Sequence, residues 1–138
     1  NNLILNLENK YKSNAKVIHW SNAEKSFYNK VNLRYGNIFE NVNWFDLLRF
    51  FKDNNILILD SLNFSLKSIA TNMYKYGLIQ SIWDDDLTSG SDAMFFSWQE
   101  YIKYDNINSS DKFKDVIFYN EIDCKTMYEI FEYLKSNH

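Results

Sequence analysis

Several features that define common protein classes are missing from this chain of 138 residues. A single cysteine, Cys124, excludes a disulfide within the chain, and no signal-peptide pattern is present, so we expect an intracellular protein, cytoplasmic or nuclear. There is no proline, and only three glycines occur. No Walker loop, dinucleotide-binding fingerprint, G-x-S-x-G elbow or H-E-x-x-H motif is found. Functions that need a nucleotide cofactor or a serine nucleophile therefore lose most of their support.

Long apolar runs and an excess of positive charge are missing as well. No unbroken apolar run reaches the roughly 18 residues of a membrane span, so we expect no membrane association. A net charge of −3 gives no basic footprint of the kind that dominates DNA packaging, so binding of nucleic acid would need divalent ions or local lysines. The hydrophobic content of 46% excludes disorder, and the length predicts one domain over residues 1–138.

The first half of the chain alternates helical and extended patterns. Residues 1–13 read as a helix, and KVIHW, residues 16–20, is a short apolar run typical of a strand. A helix follows from Ser21 to about Arg34, with Gly36 where a left-handed closing residue is needed. VNWFDLLRFFKDNN has the pattern of a short strand followed by one or two helical turns.

The second half is predominantly helical by its spacing. Leu62, Leu66, Ile69 and Met73 predict a helix of about three turns that Gly77 closes. SDAMFFSWQEYIKY predicts another helix, DNINSSDKFKD a loop, and FYNEIDCKTMYEIFEYL a long final helix. The sequence therefore predicts an α/β fold that is rich in helices and has too few strands for a full sheet of its own.

Asp123 is the most informative residue of the final helix. It shares a face with the apolar side chains, where a carboxylate costs several kcal/mol unless a partner satisfies it. Tyr119 lies four positions earlier and therefore about one turn away on the same face. One explanation is a metal ion bound for phosphodiester hydrolysis, with Tyr119 orienting a water. The alternative is a partly exposed aspartate that a tyrosine hydroxyl or a backbone group satisfies.

Other polar residues have simpler explanations. Glu24 follows a strand end, where α/β proteins place functional groups, but Ser21 and Glu24 also form an S-x-x-E capping box, which we favour. His19 has no second ligand at metal spacing and is expected to be packed or solvated. The aspartates at 84–86 lack the pattern of a calcium loop, and Cys124 is expected to be a packing residue.

Five segments, in this order and spacing, carry a family resemblance: VIHWSNAEKSF, WFDLLRFF, DSLNFSLKSIA, TSGSDAM and FYNEIDCKTMYEIFEYL. Together they resemble the DEDD-type 3′–5′ exonucleases of the ribonuclease-H-like superfamily, in particular predicted RecB-associated nucleases, with family-B polymerase proofreading domains as more distant relatives. The resemblance covers about residues 16 to 136. It implies a ribonuclease-H-like fold and hydrolysis of DNA or RNA with two Mg²⁺ or Mn²⁺ ions.

The resemblance also implies roles for individual residues. Glu24 matches the acidic position of the second motif, and Asp123 matches the metal-binding aspartate of the third. Tyr119 matches the tyrosine that orients the attacking water. Lys67 and Asp92 match recurrent positions to which the resemblance gives no defined role; they are candidate substrate-side residues, and the alternative is that both are solvated surface residues.

The first motif of this family, an Asp-x-Glu on the leading strand, is missing. LNLEN, residues 5–9, is similar, but Asn6 replaces the aspartate and only 15 residues separate Glu8 from Glu24, too few for the intervening strands and helix. We therefore expect the chain to be the C-terminal part of such a domain, inactive by itself, with the first motif upstream in the same protein or lost. The alternatives are an inactive nuclease-fold domain that serves as an interaction or structural module, and an unrelated α/β domain.

Overall fold

The computed structural model describes residue 10 and residues 16–36, 42–83 and 90–137. Apart from Lys10, the predicted helix over residues 1–13 lies outside the described residues, as do the aspartates at 84–86. The chain divides into two compact units, residues 1–66 and 67–138. The expectation of a single domain stays a prediction.

The first unit contains a small parallel sheet and two helices. The strands pair in parallel, with Val17 opposite Trp44 and His19 opposite Asp46. The elements are β1 (Val17–His19), α1 (Ala23–Tyr35), β2 (Trp44–Asp46) and α2 (Leu47–Asp53). Each strand is followed by a helix, as the sequence predicts: β2 continues directly into its helix, and three residues separate β1 from its helix.

The transition from β2 to α2 follows from a helix cap. Asp46 keeps an extended backbone, and its carboxylate accepts a hydrogen bond of 3.0 Å from the backbone N–H of Arg49. Such a cap satisfies one of the donors that the first helical turn leaves without a partner. Leu47 and Phe51, four positions apart on α2, are fully buried. They form the core of the first unit together with Trp20, whose ring centroid lies 5.5 Å from that of Phe51.

The predicted capping box at the start of α1 is wrong. Ser21 has a φ of +72°, so it forms the tight turn after β1 and does not have the extended backbone of a capping residue. Asn22 occupies the N-cap position, and no side chain caps the helix. The prediction at the other end is confirmed, because Gly36, at φ +80°, donates its N–H to the carbonyl of Asn32.

All regular elements in the described part of the second unit are helical. Its elements are α3 (Leu66–Lys75), α4 (Gly90–Lys103), a 3₁₀ turn (Ile107–Ser109) and α5 (Asp111–Asn137). Helix α4 packs against α5. Ile69 and Met73 are buried on α3 and Gly77 closes it with a left-handed backbone, as predicted. Leu62, which we expected on the same stripe, lies outside the helix and is 96% exposed.

The final helix begins earlier than the sequence predicts. Half of the expected loop DNINSSDKFKD belongs to α5, which starts at Asp111. The reason is Ser110, whose hydroxyl accepts a hydrogen bond of 3.1 Å from the N–H of Phe113 and donates one of 2.6 Å to Glu100. A side-chain oxygen at that position starts a helix, and Glu100 connects that start to α4.

Two further expectations concern exposure. The stripe of Phe95, Trp98 and Ile102 lies on α4 as predicted, but all three side chains are more than half exposed. Cys124 is exposed as well, so its expected role as a packing residue is wrong.

None of the described helices combines the length and the apolar run that a membrane crossing needs. The described residues form two strands and five α-helices, which agrees with the predicted helix-rich α/β class.

Candidate active site on the final helix

The face of α5 that carries Tyr119 and Asp123 is the candidate site. Both side chains are half-buried, and Ile130 and Leu134 continue the same face into the core of the second unit. The indole N–H of Trp83 donates a hydrogen bond of 2.8 Å to Oδ1 of Asp123. The ring centroids of Trp83 and Tyr119 are 6.5 Å apart. A protein partner of Asp123 is therefore an indole, which neither explanation from the sequence anticipated.

Trp83 reaches Asp123 from a short segment, residues 79–83, that is neither helix nor strand. Ile79, Ser81 and Trp83 are buried in it, whereas Gln80 is exposed. The backbone N–H groups of Gln80 and Ser81 point to the same side, so the backbone is not that of an extended strand at this point. The polar Ser81 within IQSIW gives no sequence signal for this packing.

Glu129, one and a half turns after Asp123 on α5, holds the same segment. Its Oε2 accepts hydrogen bonds of 2.7 Å and 2.8 Å from the backbone N–H groups of Gln80 and Ser81. Its Oε1 accepts one of 2.6 Å from the Ser81 hydroxyl. Burial raises the pKa of Glu129, but these hydrogen bonds and the charge of Lys125 outweigh burial and leave the pKa below its ordinary value. Glu129 is therefore ionised at neutral pH, and an ionised carboxylate is the form that accepts all three hydrogen bonds.

Tyr119 keeps its proton over a wider pH range than an ordinary tyrosine. Burial is the larger cause and the negative charge of Asp123 the smaller one, and both raise the pKa of Tyr119. A phenol with a raised pKa is neutral at pH 7 to 9. Its hydroxyl can then donate a hydrogen bond to a water or a substrate oxygen, and it does not act as an anionic base.

We predict that Asp123→Asn lowers the pKa of Tyr119. The substitution removes the nearby negative charge, so the phenolate becomes less unfavourable, while burial still keeps the pKa above the ordinary value of about 10. The measurement is a pH titration of the tyrosine ring ¹³Cζ signals, with Tyr119→Phe to assign the resonance. Glu121→Gln, which removes an exposed carboxylate from the same helix, should leave the Tyr119 pKa unchanged. An equal change of the Tyr119 pKa in both variants would show that the charge of Asp123 has no specific effect on it.

The other predicted residues lie on different elements. In the second unit, Lys67 is exposed in the first turn of α3, and Asp92 is half-buried in the first turn of α4. In the first unit, Glu24 is exposed in the first turn of α1. Of the predicted site residues, Tyr119 and Asp123 are the pair that the structure brings together, and Trp83 and Glu129 are the additions that the sequence did not indicate.

His19, at the end of β1, has a packing role. It is 2% exposed, and its Nδ1 donates to the carbonyl of Ser21, which fixes the proton on that nitrogen. The ring meets Trp44 edge-on at a centroid distance of 5.3 Å. The expectation of a packed histidine is confirmed.

The described residues do not assemble a metal site by themselves. Within them, no group of three or more His, Cys, Asp or Glu side chains is arranged to bind a metal ion. Asp123 accepts the Trp83 bond at one of its two oxygens, and a carboxylate offers about four lone-pair positions, so this bond leaves acceptor capacity for a cation. The ions that the resemblance implies would therefore need ligands in addition to the described ones.

Comparison with protein families identifies one family that this chain matches. Residues 10–135 match the RNase_H_2 family, described as RNase H superfamily. The match covers most of the chain and includes residues of both compact units. The chain therefore belongs to the RNase H superfamily. Searches of curated proteins and of solved structures give no match.

Proposed function

We propose that this chain is the C-terminal part of a metal-dependent nuclease that removes nucleotides from DNA or RNA in the 3′–5′ direction. The observation that carries the proposal is the half-buried Asp123 beside Tyr119 on one face of α5, within a chain of the RNase H superfamily. A carboxylate and a neutral phenol one turn apart are the groups that phosphodiester hydrolysis uses to bind a cation and to orient a water.

Asp123 serves as a metal ligand in this proposal. Divalent ions bound there would neutralise phosphate charge and activate a water, with two ions, Mg²⁺ or Mn²⁺, in the complete site. The hydrogen bond from Trp83 limits the rotation of the carboxylate, so its second oxygen keeps a constant direction. Ligands whose orientation a neighbouring hydrogen bond fixes bind metals more tightly.

Tyr119 orients the attacking water. Its raised pKa keeps the hydroxyl protonated at the pH of the reaction, and half-burial limits the movement of its ring. The ring also lies beside that of Trp83, so the same indole contacts both members of the pair. The phenol therefore acts by position and hydrogen bonding.

Glu24 is the second ligand in the proposal, and an Asp-x-Glu motif upstream in the same protein supplies the remaining carboxylates. The failure of the capping box removes the simplest structural role for Glu24, and its carboxylate is exposed. A carboxylate in the first turn of α1 also interacts favourably with the helix dipole. Glu24 therefore stabilises the helix whether or not it binds a metal ion.

Lys67 and Asp92 are substrate-side residues in the proposal. Lys67 lies in the first turn of α3, which contains no acidic residue. Lys67 is exposed there, so its ammonium group can bind a phosphate as a point charge. Asp92 lies in the first turn of α4, where the helix dipole stabilises its negative charge without any bound ligand.

Calorimetric titration with Mn²⁺ tests the proposal. We expect weak or no binding to the 138-residue chain and clear binding to a version extended upstream by about 80 residues, the length in which a domain of ordinary size would contain the first motif. Asp123→Ala should remove the binding of the extended version. Binding that survives this substitution would contradict the role of Asp123, and equal binding to the unextended chain would contradict the split site.

A second candidate function is an inactive nuclease-fold module that binds another macromolecule. The exposed apolar face of α4 favours it, because a contiguous apolar surface of this kind marks interaction sites. Five large side chains of that helix are more than half exposed: Met94, Phe95, Trp98, Tyr101 and Ile102. A folded extended version that binds no Mn²⁺ and hydrolyses no oligonucleotide would support this function and exclude the first.

A further inference from the structure

The segment of residues 79–83 runs along α5 in the opposite direction. Ser81 contacts Glu129, and Trp83, two residues later, contacts Asp123, six residues earlier on the helix. Six helical residues span about 9 Å, and two residues outside a helix span at most about 7 Å. The two spacings agree closely enough for side chains of ordinary length to make both contacts at once. The segment is therefore attached to α5 at two points that share one register.

Glu129 is the stronger of the two attachments. It accepts two backbone N–H groups and one hydroxyl, all within 2.8 Å, whereas the Trp83 attachment is a single hydrogen bond. Both acceptors are carboxylates, so the difference in strength comes from the number of bonds, three at Glu129 and one at Asp123 from Trp83. Since two of the three donors are backbone groups, Glu129 fixes the position of the chain itself and not only that of one side chain.

The register at Glu129 determines whether Trp83 reaches Asp123. A shift of one residue would move Trp83 by about 3.8 Å, the distance between neighbouring Cα atoms, which is too far for its hydrogen bond of 2.8 Å to persist. The buried indole N–H of Trp83, which can only donate, would then lose its acceptor. Asp123 would at the same time lose the hydrogen bond that limits the rotation of its carboxylate.

We infer that Glu129 is a positioning residue of the site: it holds residues 80 and 81 so that Trp83 donates to Asp123 and packs beside Tyr119. This inference rests on the proposed function, because Asp123 and Tyr119 are the groups whose arrangement matters for hydrolysis. Glu129 itself contacts neither of them in the described structure, and it acts through the segment. Its substitution should therefore affect kcat through the arrangement of Asp123 and leave substrate binding largely unchanged.

The test compares Glu129→Gln with Glu132→Gln in the protein from the complete open reading frame. Glu132 lies three residues further on α5 and makes only a surface ion pair of 3.5 Å with Lys135, so it is the matched control. The first readout is the indole ¹H–¹⁵N signal of Trp83, assigned by its loss in Trp83→Phe. We expect Glu129→Gln to move this signal toward its position in Asp123→Ala, and Glu132→Gln to leave it in place.

The second readout is the hydrolysis of labelled oligonucleotides. Removing a group that bonds directly to a metal ligand typically lowers activity about 10- to 100-fold. Glu129→Gln acts one step further out, through Trp83, so it should lower kcat by up to about 10-fold with KM unchanged, and Glu132→Gln should change neither. If Glu129→Gln does not fold, Ser81→Ala provides the milder variant, because it removes one of the three hydrogen bonds and no charge. A proportionate, smaller change in both readouts is then expected.

Three results would separate this inference from the proposed function. An unchanged Trp83 signal in Glu129→Gln, with hydrolysis intact, would overturn the inference alone. A shifted Trp83 signal with unchanged kcat would overturn the catalytic part of it. Absence of hydrolysis in the unsubstituted protein would overturn the proposed function and the catalytic part together, while the NMR comparison would still decide whether Glu129 holds Trp83 against Asp123.

Discussion

Asp123→Asn in the protein extended upstream is expected to lower hydrolysis of labelled oligonucleotides by about 10³-fold, because a carboxylate metal ligand contributes several kcal/mol to transition-state stabilisation and each 1.36 kcal/mol is tenfold in rate. The substitution keeps the shape of the side chain and an oxygen that can accept the Trp83 indole N–H, now 2.8 Å from Oδ1. It removes the charge that a divalent cation needs. Loss of activity in a variant with unchanged circular dichroism and melting temperature would therefore report on ligation and not on folding.

Asp115→Asn is the matched control for this experiment. Asp115 is an exposed carboxylate on the same helix, eight residues before Asp123, and the same substitution there changes the net charge by the same amount. We expect it to retain activity within about a factor of two, because exposed surface substitutions change free energies by less than about 0.5 kcal/mol. Wild-type activity of Asp123→Asn would make the metal-ligand assignment wrong. An equal loss in both variants would indicate a charge effect without a specific site.

Phe51→Ala is expected to lower the free energy of unfolding by about 3–5 kcal/mol, the usual loss when a fully buried phenylalanine becomes alanine. Phe51 is 0% exposed, and its ring packs against that of Trp20. The indole of Trp20 in turn donates a hydrogen bond of 3.0 Å to the carbonyl of Phe64, so the cavity would loosen a contact between distant parts of the first unit. Urea denaturation followed by circular dichroism measures the change.

Phe27→Ala provides the control in the same unit. Phe27 is 70% exposed on α1, so the same atoms are removed without a cavity. Phe27→Ala should lower the free energy of unfolding by no more than about 0.5 kcal/mol. A loss of less than 1 kcal/mol in Phe51→Ala, or similar losses in both variants, would contradict the packing of α2 described above. Because Glu24 lies in this unit, Phe51→Ala should also weaken any Mn²⁺ binding that depends on Glu24.

Local patterns predicted the elements whose causes are local. The left-handed closing residues Gly36 and Gly77, the helical spacing of Ile69 and Met73, and the shared face of Tyr119 and Asp123 all involve neighbours within about four residues. The failed prediction of a capping box is also informative. The S-x-x-E pattern at Ser21 is compatible with a capping box, but the turn after β1 imposes a left-handed backbone that the box does not allow.

Distance along the chain explains why the surroundings of Asp123 were not predictable. Its bond to Trp83 joins residues 40 positions apart, and the bonds of Glu129 to Ser81 join residues 48 positions apart. No periodicity connects such pairs, since each partner reads locally as a surface tryptophan, serine or glutamate. The sequence by itself determined the helix, its Tyr-x-x-x-Asp face and the superfamily motifs, because these depend on spacing within one element. Only the tertiary structure decided that Trp83 donates to this carboxylate and that Glu129 binds the backbone of residues 80 and 81, because both contacts depend on how a distant segment packs against a helix.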